Sequence, residues 1–355
     1  MNHFILAALF ILNQASAQDS RRADSLLKMK PMSVVDKSLT PPSGDKHDYF
    51  SLAPYFWPDK SKPDGKPYLR RDGEVNPDSR NESSDHHRMS RTLSAIDTLS
   101  KAYKKTNKDA YATKAAELLR VWFLDPATRM NPNLNFAQGI PGKVDGRCFG
   151  IIEGGVFIKA GYASDRILKS PAWNKQEHEG IRQWLASYLD WLLTSPLGKQ
   201  EGATLNNHAS GYDVQLCRIA LFLGKKSLVK KITEDAKEKR IAAQIEPDGS
   251  QPHELKRTKS LGYCALNLDF LFDLADIAEK VEVDLWHYQT DDGRSLKKAL
   301  EFLAPYLGPN GKKWPYKQIS SPPYSKLASL FEQGATLYQN PEFLRISRHL
   351  NSKKQ

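Results

Sequence analysis

Two short stretches hold the residues best suited to chemistry. The first reads Leu205-Asn206-Asn207-His208-Ala209-Ser210-Gly211-Tyr212 and precedes an apolar run through Leu216 and Ile219. Asparagine is a strong N-cap residue, so a helix is expected to begin near Asn206 or Asn207. The free N–H groups and partial positive charge of a helix start suit a carboxylate. The same letters also read as two capping asparagines followed by an incidental histidine. The second stretch reads Pro247-Asp248-Gly249-Ser250-Gln251-Pro252-His253-Glu254-Leu255 and continues Lys256-Arg257-Thr258-Lys259-Ser260-Leu261-Gly262-Tyr263. It is a turn and a polar segment leading into a helix that carries Ala265, Leu268 and Leu271. On one continuous helix Arg257 and Tyr263 would lie about 240° apart. They converge only if Arg257 sits on the loop and Tyr263 in the first helical turns. Otherwise they are a surface arginine and a core tyrosine.

Further candidates lie upstream. Tyr68, Arg70 and Arg71 follow an aromatic block, Tyr55-Phe56-Trp57-Pro58, and read either as a mobile lid over an anionic chain or as a solvated basic loop. Trp57 and Trp314 occupy loop-like segments where an indole can stack on a sugar ring, whereas Trp122, Trp184 and Trp191 include core residues at helical spacing. Asp85-His86-His87-Arg88 resembles a metal cluster, but adjacent helical histidines point about 100° apart. It also lacks the i, i+4 pair of helical zinc sites. No metal is expected there, and His87 or Arg88 lining a cleft fits better. Arg147, within Gly146-Arg147-Cys148-Phe149-Gly150, is a candidate carboxylate contact. Asn206 and His253, within the two main stretches, are candidate substrate contacts.

The elements that must hold these residues are helical. Leu93, Ile96 and Leu99 recur at helical spacing, as do Ile181, Trp184, Leu185, Tyr188 and Leu192, and then Leu268, Leu271 and Leu274. So do Leu296, Ala299, Leu300 and Leu303, and Leu327, Leu330 and Phe331. Breaks carry proline, glycine or asparagine, as at Ser195-Pro196-Leu197-Gly198 and Gly308-Pro309-Asn310-Gly311. No run of alternating strands is expected after residue 84. The expected class is all-α: an α/α barrel, or toroid, of helix hairpins over 84–345, with a loop-rich N-terminal segment at 18–83 packing on it as a lid and a polar tail at 346–355. A helical bundle or solenoid gives the same pattern, but there is no fixed-period repeat.

Residues 1–17 pair an apolar run, Phe4 to Leu12, with Ala15-Ser16-Ala17, the small-residue pattern of a cleaved export signal. The run is too short to span a bilayer, which takes roughly 20 apolar residues. No later stretch reads as a membrane span, so a periplasmic or secreted protein is expected. Removing the signal leaves 338 of 355 residues. Three cysteines, Cys148, Cys217 and Cys264, are an odd number without metal spacing and read as buried small apolar residues. A net charge of +11 argues for a polyanionic partner. In an exported protein, acidic polysaccharide fits better than nucleic acid.

Asn207-His208 followed downstream by Arg257 and Tyr263 resembles the catalytic arrangement of the alginate lyase superfamily, which includes polysaccharide lyase families 5 and 38. The Trp314-Pro315-Tyr316-Lys317-Gln318 and Tyr55-Phe56-Trp57-Pro58 blocks strengthen the likeness, which covers roughly residues 45 to 320. Family 5 enzymes usually follow Asn-His with an aromatic-rich pair, where this chain has Ala209-Ser210-Gly211. Their Arg and Tyr typically stand one residue further apart. Family 38, with alginate and glucuronan lyases, is therefore the nearer resemblance.

The resemblance implies β-elimination on an acidic polyuronate, alginate or glucuronan. Asn207 and Arg257 would neutralise the uronate carboxylate so that C5 can lose a proton. Tyr263 would serve as base and acid if a cation lowers its pKa from about 10. His208 would be the base when the C5 proton lies on the other face, or would orient Tyr263. This scheme needs no metal and no cofactor. Two rivals stand beside it. A glycoside hydrolase on the same barrel needs a carboxylate pair, and Glu153, Asp213, Glu246, Asp248 and Glu254 form no recognisable one. A non-catalytic glycan-binding protein would keep the basic cleft without turnover.

Overall fold

The computed structural model describes residues 20–353. The expected export signal lies outside the described residues. The chain divides into two compact units. One takes the chain up to Pro54 together with Asn76–Trp191; the other takes Tyr55–Val75 together with the chain from Leu192 onward. The stretch expected to act as one N-terminal segment is thus shared between the two units.

Four short strands occur in that stretch and just beyond: β1 (Phe50–Leu52), β2 (Phe56–Trp57), β3 (Leu69–Arg70) and β4 (Phe136–Gly139). In the first unit β1 pairs with β4 in parallel, and in the second β2 pairs with β3 antiparallel. Strand β4 falls in a region where only helices are expected. Its Gln138 adopts a left-handed φ of 50°, a conformation that costs a non-glycine residue on the order of 1 kcal/mol. Hydrogen bonds offset that cost. The Gln138 N–H donates to Ser51 Oγ at 2.8 Å, and its side chain links Glu153 and Arg147.

The helices of the first unit follow the apolar spacing. Helix α1 (Asp85–Thr106) buries Leu93, Ile96 and Leu99 and packs on α2 (Asp109–Leu119) and α3 (Ile158–Ile167). It stops at Asn107, whose left-handed φ of 54° turns its N–H back onto Tyr103 O. Helix α4 (Lys175–Thr194) brings Trp184 edge-on to Phe123 and Phe157, with ring centroids 4.8 and 5.1 Å apart. Such pairs add to the burial of large apolar area. The division between units falls inside α4.

In the second unit, α5 (Pro196–Gly202) leads by a short turn into α6 (Asn207–Phe222), and α7 (Lys226–Ala236) follows. Next come α8 (Pro252–Leu255), α9 (Ser260–Glu279), α10 (Leu296–Leu307), α11 (Tyr324–Leu337) and α12 (Pro341–Ser352). Ser195 caps α5 by accepting from Gly198 N, and Pro196 opens the first turn. Helix α6 packs on α5, α7 and α9, and α11 on α12. Where a polar tail is expected from residue 346, α12 runs on to Ser352 with Ile346 and Leu350 buried. Cys148, Cys217 and Cys264 are free and buried, as the sequence predicts.

Candidate active site

Asn206 is the N-cap of α6: its side-chain oxygen accepts from His208 N at 3.0 Å. This fixes Asn207 and His208 in the first turn. Asn207 is 1% exposed and faces Glu254 of α8. Its backbone N–H donates to Glu254 Oε1 at 2.7 Å, and Nδ2 lies 3.0 and 2.9 Å from the two carboxylate oxygens. Two oxygens of one carboxylate subtend too narrow an angle at the nitrogen to take both N–H bonds of a planar amide. One hydrogen is therefore shared between them and the other points elsewhere, while Asn207 Oδ1 is buried without a hydrogen bond. Burial raises the Glu254 carboxyl above the usual range, against the pull of the Asn207 donors, Arg257 and His208.

Arg257 sits on the loop between α8 and α9, and Tyr263 is in the first turn of α9. This is the condition under which the sequence lets the two converge. Arg257 Nη2 donates to the Tyr263 hydroxyl at 2.7 Å, and the guanidinium lies 3.8 Å from the tyrosine ring centroid. The Tyr263 hydroxyl in turn donates to Tyr55 Oη at 2.8 Å. Burial, then the bond to Tyr55, raises the Tyr263 hydroxyl above the usual tyrosine range, and Arg257 does not offset them. Arg257 does pull in the direction the sequence leads one to expect of a cation, but burial and Tyr55 outweigh it and the net direction is upward. Arg257 is also held by Asp72, with Nη2 at 2.7 Å and Nε at 3.1 and 3.2 Å from its oxygens. Burial opposes ionisation of Asp72, but Arg257 and Thr258 outweigh it and hold the carboxyl well below its usual range.

Gly73 makes the Asp72 contact possible. Its φ is +81°, and a Cβ there would lie 2.4 Å from Thr258 Oγ1. A third carboxylate near the site is Glu201, the penultimate residue of α5. It is 0% exposed and accepts from His208 Nδ1 at 2.7 Å.

The four expected catalytic residues therefore form one cluster. Glu254 is bonded to Asn207 and acts electrostatically on both His208 and Arg257, and Arg257 is bonded to Tyr263. The expected binding residues are placed less uniformly. Trp57 and Arg71 meet in a cation–π contact at 5.1 Å. Arg70 is an exposed partner of Asp72, and Tyr68 lies beside it, half-buried. Trp314 donates to Ser260 Oγ at the start of α9 and packs edge-on to Tyr306. His253 is exposed on α8. His87, Arg88 and Arg147 belong to the other unit. There Arg88 is only 7% exposed and donates to Ser84 O, a bond that ties it to its own helix. Arg147 donates to Gln138 Oε1 at 2.7 Å.

Sequence reasoning did not assign Tyr55, Asp72, Glu201 or Glu254 to the site. Asp72 is 185 residues from Arg257 and Tyr55 is 208 from Tyr263, so no local spacing reports them. Three carboxylates offered to a hydrolase are already engaged. Asp213 pairs with Arg240 at 2.7 Å, Glu153 accepts from Tyr49 and Ser51, and Glu254 holds Asn207.

The family model described as alginate lyase matches residues 33–314. A solved alginate lyase from Bacteroides ovatus is 39% identical, with a TM-score of 0.89, over 95% of this chain and 89% of that one. Alginate lyase A1-III from Sphingomonas species A1 is 17% identical, with a TM-score of 0.55, over 92% and 89%. A histidine-to-alanine variant of A1-III complexed with a tetrasaccharide scores 0.56 at 18% identity, over 92% and 88%. A comparison with curated proteins finds no match. The likeness confirms the expected all-α toroid class. With a family model spanning most of its length and a solved relative aligned almost end to end, the chain belongs to the alginate lyase family and is a polysaccharide lyase.

Proposed function

We propose that this lyase is exported, cleaves alginate, and takes glucuronan as a second substrate, with Asn207, His208, Arg257 and Tyr263 as its catalytic group. Arg257 and the remaining N–H of Asn207 receive the uronate carboxylate and favour the charge that develops on it. His208 Nε2 takes the C5 proton: the C5–H bond breaks, an N–H bond forms, and the electron pair moves into the carboxylate. The C4–O4 bond then breaks, O4 takes the Tyr263 proton, and a C4–C5 double bond remains. The single observation that carries this assignment is the Tyr263 hydroxyl, which accepts from Arg257 and is raised above the usual tyrosine range. A phenol in that setting enters the reaction protonated, so it suits the acid and leaves the base to His208. Tyr68, Arg70, Arg71, Asn206, His253, Trp57 and Trp314, which belong to the same unit as this group, are its proposed substrate contacts.

The test is a panel of mannuronate-rich alginate, guluronate-rich alginate and glucuronan followed by ultraviolet absorbance of the unsaturated product. Alginate absorbance should rise, and Tyr263→Phe should cut turnover by more than about a hundredfold while binding persists. Near-normal turnover in that variant would remove Tyr263 from the reaction. Reducing ends without absorbance on every polymer would sink the elimination itself. Export is checked on protein from the native host, whose mature chain should begin at Gln18.

A further inference from the structure

The His208 side chain is 17% exposed, while the Glu201 side chain behind it is 0% exposed. Glu201 Oε1 meets His208 Nδ1 at 2.7 Å, and Oε2 is buried without a hydrogen bond. A buried carboxylate satisfied on one side only is costly to fold around. The chain nevertheless holds it firmly. Ser195 and Pro196 start α5, and the α5 end is fastened by Thr204 Oγ1 donating to Glu201 O and Arg240 Nη2 donating to Gly202 O. Gly202 lets that end close on Tyr212, whose ring would stand 3.0 Å from an added Cβ. The groups facing the pair are Glu254, which feels the charge on His208, and Tyr212, which feels Glu201 and the Asp213–Arg240 ion pair.

We infer that Glu201 is a positioning residue for this reaction: it holds the His208 proton on Nδ1, aims the Nε2 lone pair outward, and stabilises the imidazolium formed when Nε2 takes a proton. A carboxylate oxygen only accepts, so the nitrogen facing it carries hydrogen and the far nitrogen is left as the acceptor. The negative charge then strengthens that acceptor, as a buried carboxylate does behind a histidine base. This inference rests on the reading of His208 as the base.

The experiment compares wild type, Glu201→Gln, Glu201→Asp, His208→Ala and Tyr263→Phe on alginate, with kcat and KM measured across pH. Glu201→Gln should keep KM within about twofold and lose roughly tenfold to hundredfold in kcat. Glu201→Gln removes the negative charge that favours the imidazolium, so the acid limb of kcat/KM should move to lower pH. Glu201→Asp should recover part of the rate. A Glu201→Gln enzyme with an unchanged rate and acid limb, beside an inactive His208→Ala, overturns the role of Glu201 and spares the base. A loss of rate with no movement of the limb and a lowered melting temperature also overturns it, because the carboxylate is then only structural. A His208→Ala enzyme that still turns over while Tyr263→Phe does not overturns the underlying reading of the base.

Discussion

Among single residues, Asp72 decides the most. It holds Arg257 through three short contacts and also accepts from Thr258 N and Oγ1. Without substrate the cation is therefore pinned, while Nη1 carries no hydrogen bond among the described residues. Asp72→Asn should lower stability by about 1.5–3 kcal/mol at neutral pH, the worth of a hydrogen bond to a charged group. The native carboxyl is held below its usual range, so this stability is present above the unfolded pKa of about 3.9 and is lost as pH falls through the lower native value. Urea midpoints of the two proteins should differ at pH 7 and converge in strong acid; a gap that persists there would show that the charge is not its source. At this scale the sequence was legible where chemistry and position agree. Asn206 caps, Arg257 lies on the loop and Tyr263 on the first turn, all from local rules. The partners Glu201, Glu254, Asp72 and Tyr55 were hidden because a carboxylate that serves a distant side chain looks, in sequence, like any surface acid.

Between elements, the clearest coupling joins β1 to the start of α1. Asp85 is the first residue of α1; its Oδ2 accepts from Phe50 N at 2.9 Å and from Lys37 Nζ at 3.0 Å. Both charged side chains are 0% exposed. Lys37 also donates to Val34 O and Lys46 O, so its ammonium is well supplied with acceptors. Burial pushes the Asp85 carboxyl up to about 6, against the pull of Lys37. A raised native pKa favours folding fully below the unfolded value and loses that contribution as pH rises through 6. Asparagine at 85 cannot titrate. The wild type should therefore gain on Asp85→Asn by about 1.4 kcal/mol as pH falls from 8 to 5. A difference flat with pH would put the carboxyl back in its ordinary range. The helices around this contact were legible from apolar spacing. The strands were not, because runs of two to four residues carry no period. Pairing β1 with β4 also joins residues more than 80 positions apart.

The whole chain carries +11 charges, and residues 1–17 contain no Lys, Arg, Asp or Glu, so that balance is the same with or without them. Many of these cations are already neutralised locally: Lys231 and Lys239 by Asp235, Lys237 by Glu234, Arg345 by Glu342. Exposed pairs of this kind add little stability. What matters for a polymeric anion is the unpaired remainder, which raises the local concentration of substrate and speeds encounter. That field is screened over about 10 Å at 0.1 M salt and about 3 Å at 1 M. The contact between Arg257 and a bound carboxylate spans a few ångströms, within a partly buried site, and is screened far less. Salt should therefore separate the two roles of charge. Raising NaCl from 50 to 500 mM should lower kcat/KM on alginate several-fold, mainly through KM, while kcat at saturating polymer stays nearly constant. Short oligosaccharides, which sample less of the field, should respond less than polymer. If kcat falls as steeply as kcat/KM, or oligomers and polymer respond alike, the net charge plays no part in gathering substrate and the cations near Arg257 account for all of the effect.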